Sequence, residues 1–257
     1  MSASTYPNAL YALLQVESEA LSDERGRTVL PLGPHLRHDG GLRLASLGLA
    51  AEHGTGTFAF REVGGVPTAL SVSQRNVPDD LDALELYTRM RHRGRTIMVT
   101  SMEAYRPGDK TERLAFGTIT WSVLPPFEKR PPRPGVEVPA LADLCAVAGI
   151  EAVDGAAAIA ASPADILGPG GILHAGALQT LAEHAALTAA RAHAGAGSTA
   201  IVVDASFHFL RGGRKAPFVA HPRILATTAG RLIDIEIEIR DLDDRTCTLC
   251  TFRVALG

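Results

Sequence analysis

The stretch GGILHAGALQTLAEHAALTAA, residues 170–190, decides the fold of this protein. Its polar side chains from Ala175 onward are few: Gln179, Thr180, Glu183, His184 and Thr188. The pattern predicts a helix that other parts of the chain enclose. A carboxylate buried without partners costs several kcal/mol, so Glu183 needs hydrogen-bond donors, a raised pKa or a water-lined cavity. A narrow solvent-facing strip along the helix is the alternative interpretation.

The composition is that of an ordinary globular protein. The chain has 257 residues, a hydrophobic fraction of 46% and a net charge of -3, so it lacks the basic excess typical of nucleic-acid binding. No basic segment followed by an apolar core opens the chain, and no apolar run reaches about 18 residues. We therefore expect a cytoplasmic enzyme or binding protein that contacts neither nucleic acid nor membrane.

The three cysteines, Cys145, Cys247 and Cys250, do not make the even set of a disulfide framework. Cys247 and Cys250 form a C-x-x-C pattern within RTCTLCTFRVAL, a strand-like run in which side chains three apart point to opposite faces. A zinc site would need a second pair of ligands. We expect reduced cysteines in a strand, no metal and no cofactor.

The two halves of the chain repeat each other around a proline-rich stretch. GPHLRHDGGLRLASLG, residues 33–48, aligns without gaps with GPGGILHAGALQTLAE, residues 168–183. Further parallels follow in the same order: 67–74 with 198–205, 94–99 with 230–235, and 112–124 with 244–256. Repeated segments in one order indicate a duplication. We predict a first unit at 1–124, a linker at 125–139 and a second unit at 140–257.

Each unit shows one long helix followed by several strands. The runs RLIDIEIEIRDL and RTCTLCTFRVAL of the second unit have the β-branched content and turn boundaries of strands, and RLIDIEIEI alternates polar and apolar residues. Short connections between successive strands imply an antiparallel sheet with the helices on one face. The sequence therefore predicts an α+β fold.

These residues resemble the hotdog-fold acyl-CoA thioesterases of the 4-hydroxybenzoyl-CoA and phenylacetate-pathway type. The family motif is His-Gly-Gly with an acid nine positions after the His. Here His174, Ala175, Gly176 and Glu183 occupy it, with Ala175 replacing the first Gly. The resemblance implies a double hotdog, two tandem repeats each with a long central helix wrapped by an antiparallel β-sheet. It also implies a thioester hydrolase for acyl-CoA, with His174, Ala175 and Gly176 among the substrate-binding residues.

Helix geometry implies that Glu183 acts at the other repeat. It lies about 10 Å along the helix from Gly176, whereas a catalytic base must come within about 3 Å of its target. In the family, the acid of one helix faces the N-terminus of a second, here predicted to begin near Asp39, Gly40 and Gly41. We expect backbone N–H groups around Gly40 and Gly41 to form an oxyanion hole, with Glu183 as general base or nucleophile.

The alignment leaves the other end of the helix pair without an acid. Gly48 aligns with Glu183, so we expect the site at the His174 end to be silent. Glu52 lies one turn further and could substitute only if the helix were shifted. Asp39 stands where the family has a His. It either caps its helix, close enough to Glu183 to keep that carboxyl partly protonated, or marks a site that kept only ligand binding.

Several basic side chains are candidates for substrate binding. Coenzyme A carries phosphates, and the resemblance favours Arg93 and Arg95 in RMRHRGR and Arg211 and Arg214 in RGGRK at the pocket mouth. His35 would supply a donor before the first turn. Charged strand edges that prevent aggregation are the alternative interpretation of the basic runs.

Two other functions stay open at this point. A catalytically inactive acyl-CoA-binding protein would fit Ala175, Asp39 and Gly48. A hotdog dehydratase or hydratase would place a His and an acid together, for which Asp39 and His184 are the candidates. The acyl group cannot be read from generic apolar residues, and a homo-oligomer is compatible with exposed sheet edges.

Overall fold

Two long helices pack with one large antiparallel sheet. The computed structural model describes residues 8–60, 63–75, 77–125, 142–153, 156–195, 197–228 and 231–257. The helices are α1 Ala9–Leu14, α2 Leu44–Ala59, α3 Leu144–Val147 and α4 Ala175–Ala194. The strands are β1 Glu17–Ser22, β2 Arg25–Pro31, β3 Arg37–His38, β4 Gly41–Leu42, β5 Gly64–Gln74, β6 Ala83–Arg93, β7 Ile97–Arg106, β8 Asp109–Leu124, β9 Ile150–Val153, β10 Ala156–Ile159, β11 Ala200–Phe209, β12 Phe218–Thr228, β13 Leu232–Arg240 and β14 Thr246–Leu256.

Within the described residues the main sheet has twelve strands, in the order β1-β2-β6-β7-β8-β5-β11-β14-β13-β12-β10-β9. The first six come from the N-terminal half of the chain and the last six from the C-terminal half. The halves join where β5 pairs with β11, with Ser71 opposite Ser206. This pairing and the others of the sheet are antiparallel. The predicted α+β class with an antiparallel sheet is confirmed.

Small residues set the distance between α2 and α4. A Cβ atom built on Gly176 would lie 2.1 Å from Leu49 Cδ2, and one on Gly48 would lie 2.2 Å from Gln179 Oε1. Larger side chains at these glycines would push the helices apart. Almost every residue of α4 from Gly176 to Leu187 is buried, and Glu183 is 1% exposed. The prediction of an enclosed helix is confirmed, and the alternative of a solvent-facing strip is wrong.

A hairpin precedes the first long helix and shifts its start to a later residue. In both units a short 3-10 turn at a Gly-Pro pair precedes the long helix, at Gly33 and at Gly168. The chain then takes eleven residues to reach Leu44 but only seven to reach Ala175. The extra residues form β3 and β4, which pair as a small hairpin of their own. Asp39 and Gly40 turn this hairpin with positive φ angles of 49° and 80°, as an Asp-Gly turn requires.

The hairpin changes which residues of the two helices correspond. With four residues skipped, Glu52 aligns with Glu183, and the triplet Ala-Glu-His at 51–53 matches the same triplet at 182–184. The strand segments at 67–74 and 198–205 share this offset. The prediction that Gly48 aligns with Glu183, and that the first unit has lost its acid, was therefore wrong by about one helical turn. Gly48 aligns with Gln179 instead.

The other predictions concern the cysteines, the linker and metal-binding or membrane-spanning features. Cys247 and Cys250 lie in β14, and they and Cys145 are free and buried. The linker predicted at 125–139 lies outside the described residues except for its first position. Within the described ranges, no three His, Cys, Asp or Glu side chains are grouped as metal ligands, and no helix is long and apolar enough to cross a membrane.

The packing of Gly48 predicts the effect of a single methyl group. Gly48→Ala should lower the free energy of unfolding by about 1–3 kcal/mol, because the new Cβ meets the Gln179 amide and Leu70 Cδ2. Gly56→Ala is the control in the same helix: its Cβ meets nothing within 4 Å, and it should stabilise the protein by up to about 1 kcal/mol. Urea unfolding of both variants measures this. Equal effects of the two substitutions would contradict the packing described.

Candidate active site

Glu183 of α4 points at the first residues of α2. Its Oε1 accepts a hydrogen bond from the Leu44 N–H at 2.7 Å, and its Oε2 accepts one from the Ala45 N–H at 2.9 Å. These N–H groups belong to the first turn of the helix, where the backbone offers no acceptor and the helix dipole is positive. The carboxyl of one unit thus lies against the open helix end of the other.

Gly40 and Gly41 are not the donors that face Glu183. They belong to the β3–β4 hairpin, whose turn contains Gly40 and whose second strand begins at Gly41. Gly40 lies beside the Asp79 carboxylate, and the backbone of Gly41 packs on Ile201. The predicted helix start at these residues was wrong, because the hairpin moves the first helical N–H to Leu44.

Asp39 does not cap the helix either. Its Oδ2 accepts hydrogen bonds from Arg191 Nη2 at 2.7 Å and from the Ala200 N–H at 3.1 Å, and Arg191 lowers the pKa of this carboxyl. The N-cap of α2 is Arg43. The interpretation of Asp39 as a helix cap was therefore wrong. Asp39 ties the hairpin to the last turn of α4 and to the start of β11.

Burial and positive charge act on Glu183 in opposite directions. Burial raises the pKa of its carboxyl, while Arg43 and the two N–H groups lower it, and the balance lies above the ordinary value. Arg43 is itself only 4% exposed. The nearby His184 has its Nδ1 3.7 Å from Cys145 Sγ, and burial lowers the pKa of this imidazole. Glu183 is therefore a carboxyl whose proton affinity exceeds that of a solvated glutamate.

The opposite end of the helix pair has the same acid in a different setting. Glu52 is 5% exposed, and its Oε1 accepts a hydrogen bond from Gln179 Nε2 at 2.6 Å. Burial raises the pKa of Glu52 to about 8, which leaves this carboxyl mainly protonated at neutral pH. His174, the N-cap of α4, accepts from the Gly176 N–H at 3.0 Å through its Nδ1. The N-terminus of α4 is therefore capped by the side chain of its own N-cap residue.

Aromatic packing closes this second end further. The Tyr11 ring lies between the rings of His53 and His174, with centroid distances of 5.1 and 5.2 Å. Burial lowers the pKa of His174 to about 4, so its imidazole is neutral and able to accept the Gly176 N–H. The prediction that this end is catalytically inactive therefore needs a different reason. The acid Glu52 is present, but it is bound by Gln179, and His174 occupies an N–H group of the helix N-terminus. The silence itself stays a prediction.

The predicted basic residues do not gather around Glu183. Arg214 donates to the Gly170 carbonyl at 3.4 Å, in the loop before α4, and Arg211 lies in the same β11–β12 connection. Arg93 ends β6, where it donates to the Asp23 carbonyl, and Arg95 is exposed in the following turn.

His35 lies in the 3-10 turn before the hairpin, close to the Leu13 backbone and to Asp143. Burial lowers the pKa of this imidazole. Ala175 and Gly176 open α4, at the His174 end. The substrate-binding roles assigned to all of these residues stay predictions.

Sequence reasoning missed the donors Leu44 and Ala45, and it named Glu52 without aligning it with Glu183. The repeated Ala-Glu-His triplet could have aligned Glu52 with Glu183, because it matches only when a gap is allowed before the first helix. It would also have moved the first helix start to Leu44. Arg43 had no comparable signal, since an arginine before a helix is common on protein surfaces and its burial follows from the tertiary fold.

The raised pKa of Glu52 predicts a pH-dependent stability. Between pH 4.5 and about 8 the unfolded chain ionises this carboxyl while the folded chain keeps its proton, so stability falls as pH rises. Glu52→Gln removes this proton linkage. The unfolding free energy of the variant relative to the parent should therefore rise by up to about 1.4 kcal/mol per pH unit in this window. Urea unfolding from pH 5 to 8.5 measures it, and a pH-independent difference would contradict a protonated Glu52.

Comparison with known proteins supports the fold. Residues 170–248 match the thioesterase superfamily model, a stretch that contains the whole of α4 and the three strands that follow it. A search of curated protein sequences found no match.

Three solved structures illustrate the structural likeness. The tesB protein of Mycobacterium avium subs paratuberculosis is 13% identical, with a TM-score of 0.66 over 96% of this chain and 98% of that one. The acyl-CoA thioesterase II TesB2 of Mycobacterium marinum is 10% identical, with a TM-score of 0.62 over 97% of both chains. A conserved hot dog fold protein from Alicyclobacillus acidocaldarius is 12% identical, with a TM-score of 0.58 over 97% and 98% of the two chains. This chain has the hotdog fold, and its residues 170–248 are similar to the thioesterase superfamily.

Proposed function

We propose that this protein is an acyl-CoA thioesterase of double hotdog architecture, with one working site at Glu183. The observation that carries the proposal is the placement of the Glu183 carboxylate against the first N–H groups of α2. Such donors at a helix N-terminus suit a carbonyl oxygen that becomes negative during acyl transfer. The double architecture is supported by two six-strand halves, each following the same order of elements around one long buried helix.

The thioester carbonyl would bind where Glu183 now contacts the helix. Its oxygen accepts from the Leu44 or Ala45 N–H once Glu183 releases at least one of them. The donors are fixed by the helix and need no rearrangement as charge develops on the oxygen. The acyl carbon is then held next to the Glu183 carboxylate, within reach of a water molecule between them.

General base catalysis fits the raised pKa of Glu183. Its carboxylate takes a proton from water, and the water oxygen bonds to the carbonyl carbon to give a tetrahedral oxyanion. When the C–S bond breaks, the proton on Glu183 passes to the thiolate, which leaves as the free thiol of coenzyme A. A carboxyl with increased proton affinity is the better base for this transfer near neutral pH. Direct attack by the carboxylate to give a mixed anhydride is the alternative.

A dehydratase would need a neighbouring His and acid on the same substrate carbon. Asp39 is engaged by Arg191 and Ala200 instead of His184. This removes the residue pair that would have favoured dehydration. A binding protein without catalysis has the same contacts as the proposed enzyme, and therefore activity alone distinguishes the two.

Glu183→Gln tests the catalytic assignment. We expect kcat/KM for release of free thiol from a panel of acyl-CoA thioesters to fall by at least about 100-fold, the range typical for loss of general base catalysis. Circular dichroism and thermal unfolding of the variant show whether the fold is retained. A wild type that hydrolyses no member of the panel, or a folded variant as active as the wild type, would contradict the proposal.

The pKa of Glu183 predicts the acid limb of the pH–rate profile. The base must be ionised, so kcat/KM should rise with pH through a midpoint above 4.5, the ordinary glutamate value. Thiol release measured from pH 4 to 9 at subsaturating acyl-CoA gives this limb. A profile that is flat down to pH 4.5 would rule out a buried carboxyl as the base.

A further inference from the structure

Arg43 is a buried cation beside the proposed reaction site. It is the N-cap residue of α2 and directly precedes the two residues whose N–H groups face Glu183. Its side chain is 4% exposed. Its positive charge acts on Glu183, His184 and Cys145. The guanidinium therefore belongs to the interior of the site and not to the surface around it.

Most of the Arg43 N–H groups have no acceptor among the residues that the structure describes. Nε and Nη1 make no hydrogen bond within the described part of the chain. Nη2 lies 3.5 Å from His38 Nδ1 and 3.6 Å from Asp143 Oδ2. The oxygens of Glu183 are engaged by the α2 backbone. Buried polar groups are normally hydrogen-bonded, so a guanidinium with this many free N–H groups suggests a ligand.

The charge of Arg43 is also incompletely balanced. Asp143, its ion-pair partner, has a side chain 47% exposed and makes a long contact. Burial, with Arg43 and Arg191, lowers the pKa of His38 to about 4, which makes this imidazole a neutral neighbour. His184 is likewise shifted toward its neutral form. An incoming anion would give the guanidinium the partner that a buried cation needs.

The position of Arg43 restricts where that anion can lie on the substrate. A carbonyl bound at the Leu44 and Ala45 N–H groups is one residue away from Arg43. The phosphates of coenzyme A are separated from the thioester by the whole pantetheine arm, so they cannot reach the guanidinium from that position. An anionic group at Arg43 must therefore be part of the acyl chain, a few bonds from the carbonyl.

We propose that Arg43 recognises a carboxylate on the acyl group, so that the preferred substrates are coenzyme A thioesters of short dicarboxylic acids. This inference rests on the proposed thioesterase function. The planar guanidinium can donate two parallel hydrogen bonds to a carboxylate, a geometry that lysine cannot provide. At the opposite end of the helix pair, the equivalent N-cap is the neutral His174, which has no charge for such a group.

Matched acyl-CoA pairs test the inference. Malonyl-, succinyl- and glutaryl-CoA are compared with propanoyl-, butanoyl- and pentanoyl-CoA, which have equal carbon number and no carboxylate, after subtraction of spontaneous hydrolysis. The wild type should prefer the carboxylated member of at least one pair by about tenfold or more in kcat/KM. Arg43→Met and Arg43→Lys should each reduce that preference by at least about tenfold, with a smaller effect on the uncharged partner. Arg223→Gln, at an exposed arginine, is the control.

Each outcome has a defined meaning. A wild type that favours the uncharged acyl groups in every pair overturns the inference. So does an Arg43→Met variant that loses both members of a pair equally, because Arg43 would then serve the reacting carbonyl or Glu183. If the wild type hydrolyses other acyl-CoA thioesters but none of these six, the inference is overturned, whereas a wild type that hydrolyses no acyl-CoA thioester at all contradicts the proposed function. The affinities of the same six compounds for the wild type and for Arg43→Met, measured by calorimetry, then decide whether Arg43 binds acyl carboxylates.

Discussion

The contact between the Glu183 carboxylate and the first N–H groups of α2 is the interaction on which the site depends. It joins a charge from one unit to the helix end of the other, and it exists only because the two helices pack closely. Glycines at 48 and 176 permit that approach, since larger side chains would meet Gln179 and Leu49. The sheet that joins β5 to β11 holds the two halves in register. The close packing of α2 and α4 is therefore what places the Glu183 carboxyl at the N-terminus of α2.

The two long helices each carry a buried carboxyl, and the neighbours of the two carboxyls differ. Glu183 faces an open helix end and lies near the cation Arg43, whereas Glu52 is held by the Gln179 amide near a helix end that His174 closes. One substitution between the units accounts for part of this difference. Gln179 corresponds to Gly48, so the amide that binds Glu52 has no counterpart for Glu183. Burial raises the pKa of both carboxyls, to about 8 for Glu52. The opposing contacts differ, because the Gln179 amide lowers the pKa of Glu52, whereas Arg43 and two backbone N–H groups lower that of Glu183.

The sequence predicted the fold correctly where the order of polar and apolar residues follows a regular pattern along a helix or a strand. The lack of a polar face in α4 predicted its burial, and the alternating strands predicted the antiparallel sheet. The ungapped alignment failed at the Asp39–Gly40 turn, because a hairpin that adds four residues before a helix leaves no trace in helix periodicity. Arg43 could not be predicted, because its burial results from contacts with residues far along the chain, such as Asp143.

Comparing two matched variants tests the central claim most directly. Glu183→Gln and Glu52→Gln make the same chemical change at corresponding positions of the two long helices, and both are assayed for thiol release from acyl-CoA together with the wild type. The account predicts that Glu183→Gln loses at least about 100-fold in kcat/KM while Glu52→Gln stays within about threefold of the wild type. A loss confined to Glu52→Gln, or equal losses in both, would contradict a single working site at the open end of α2.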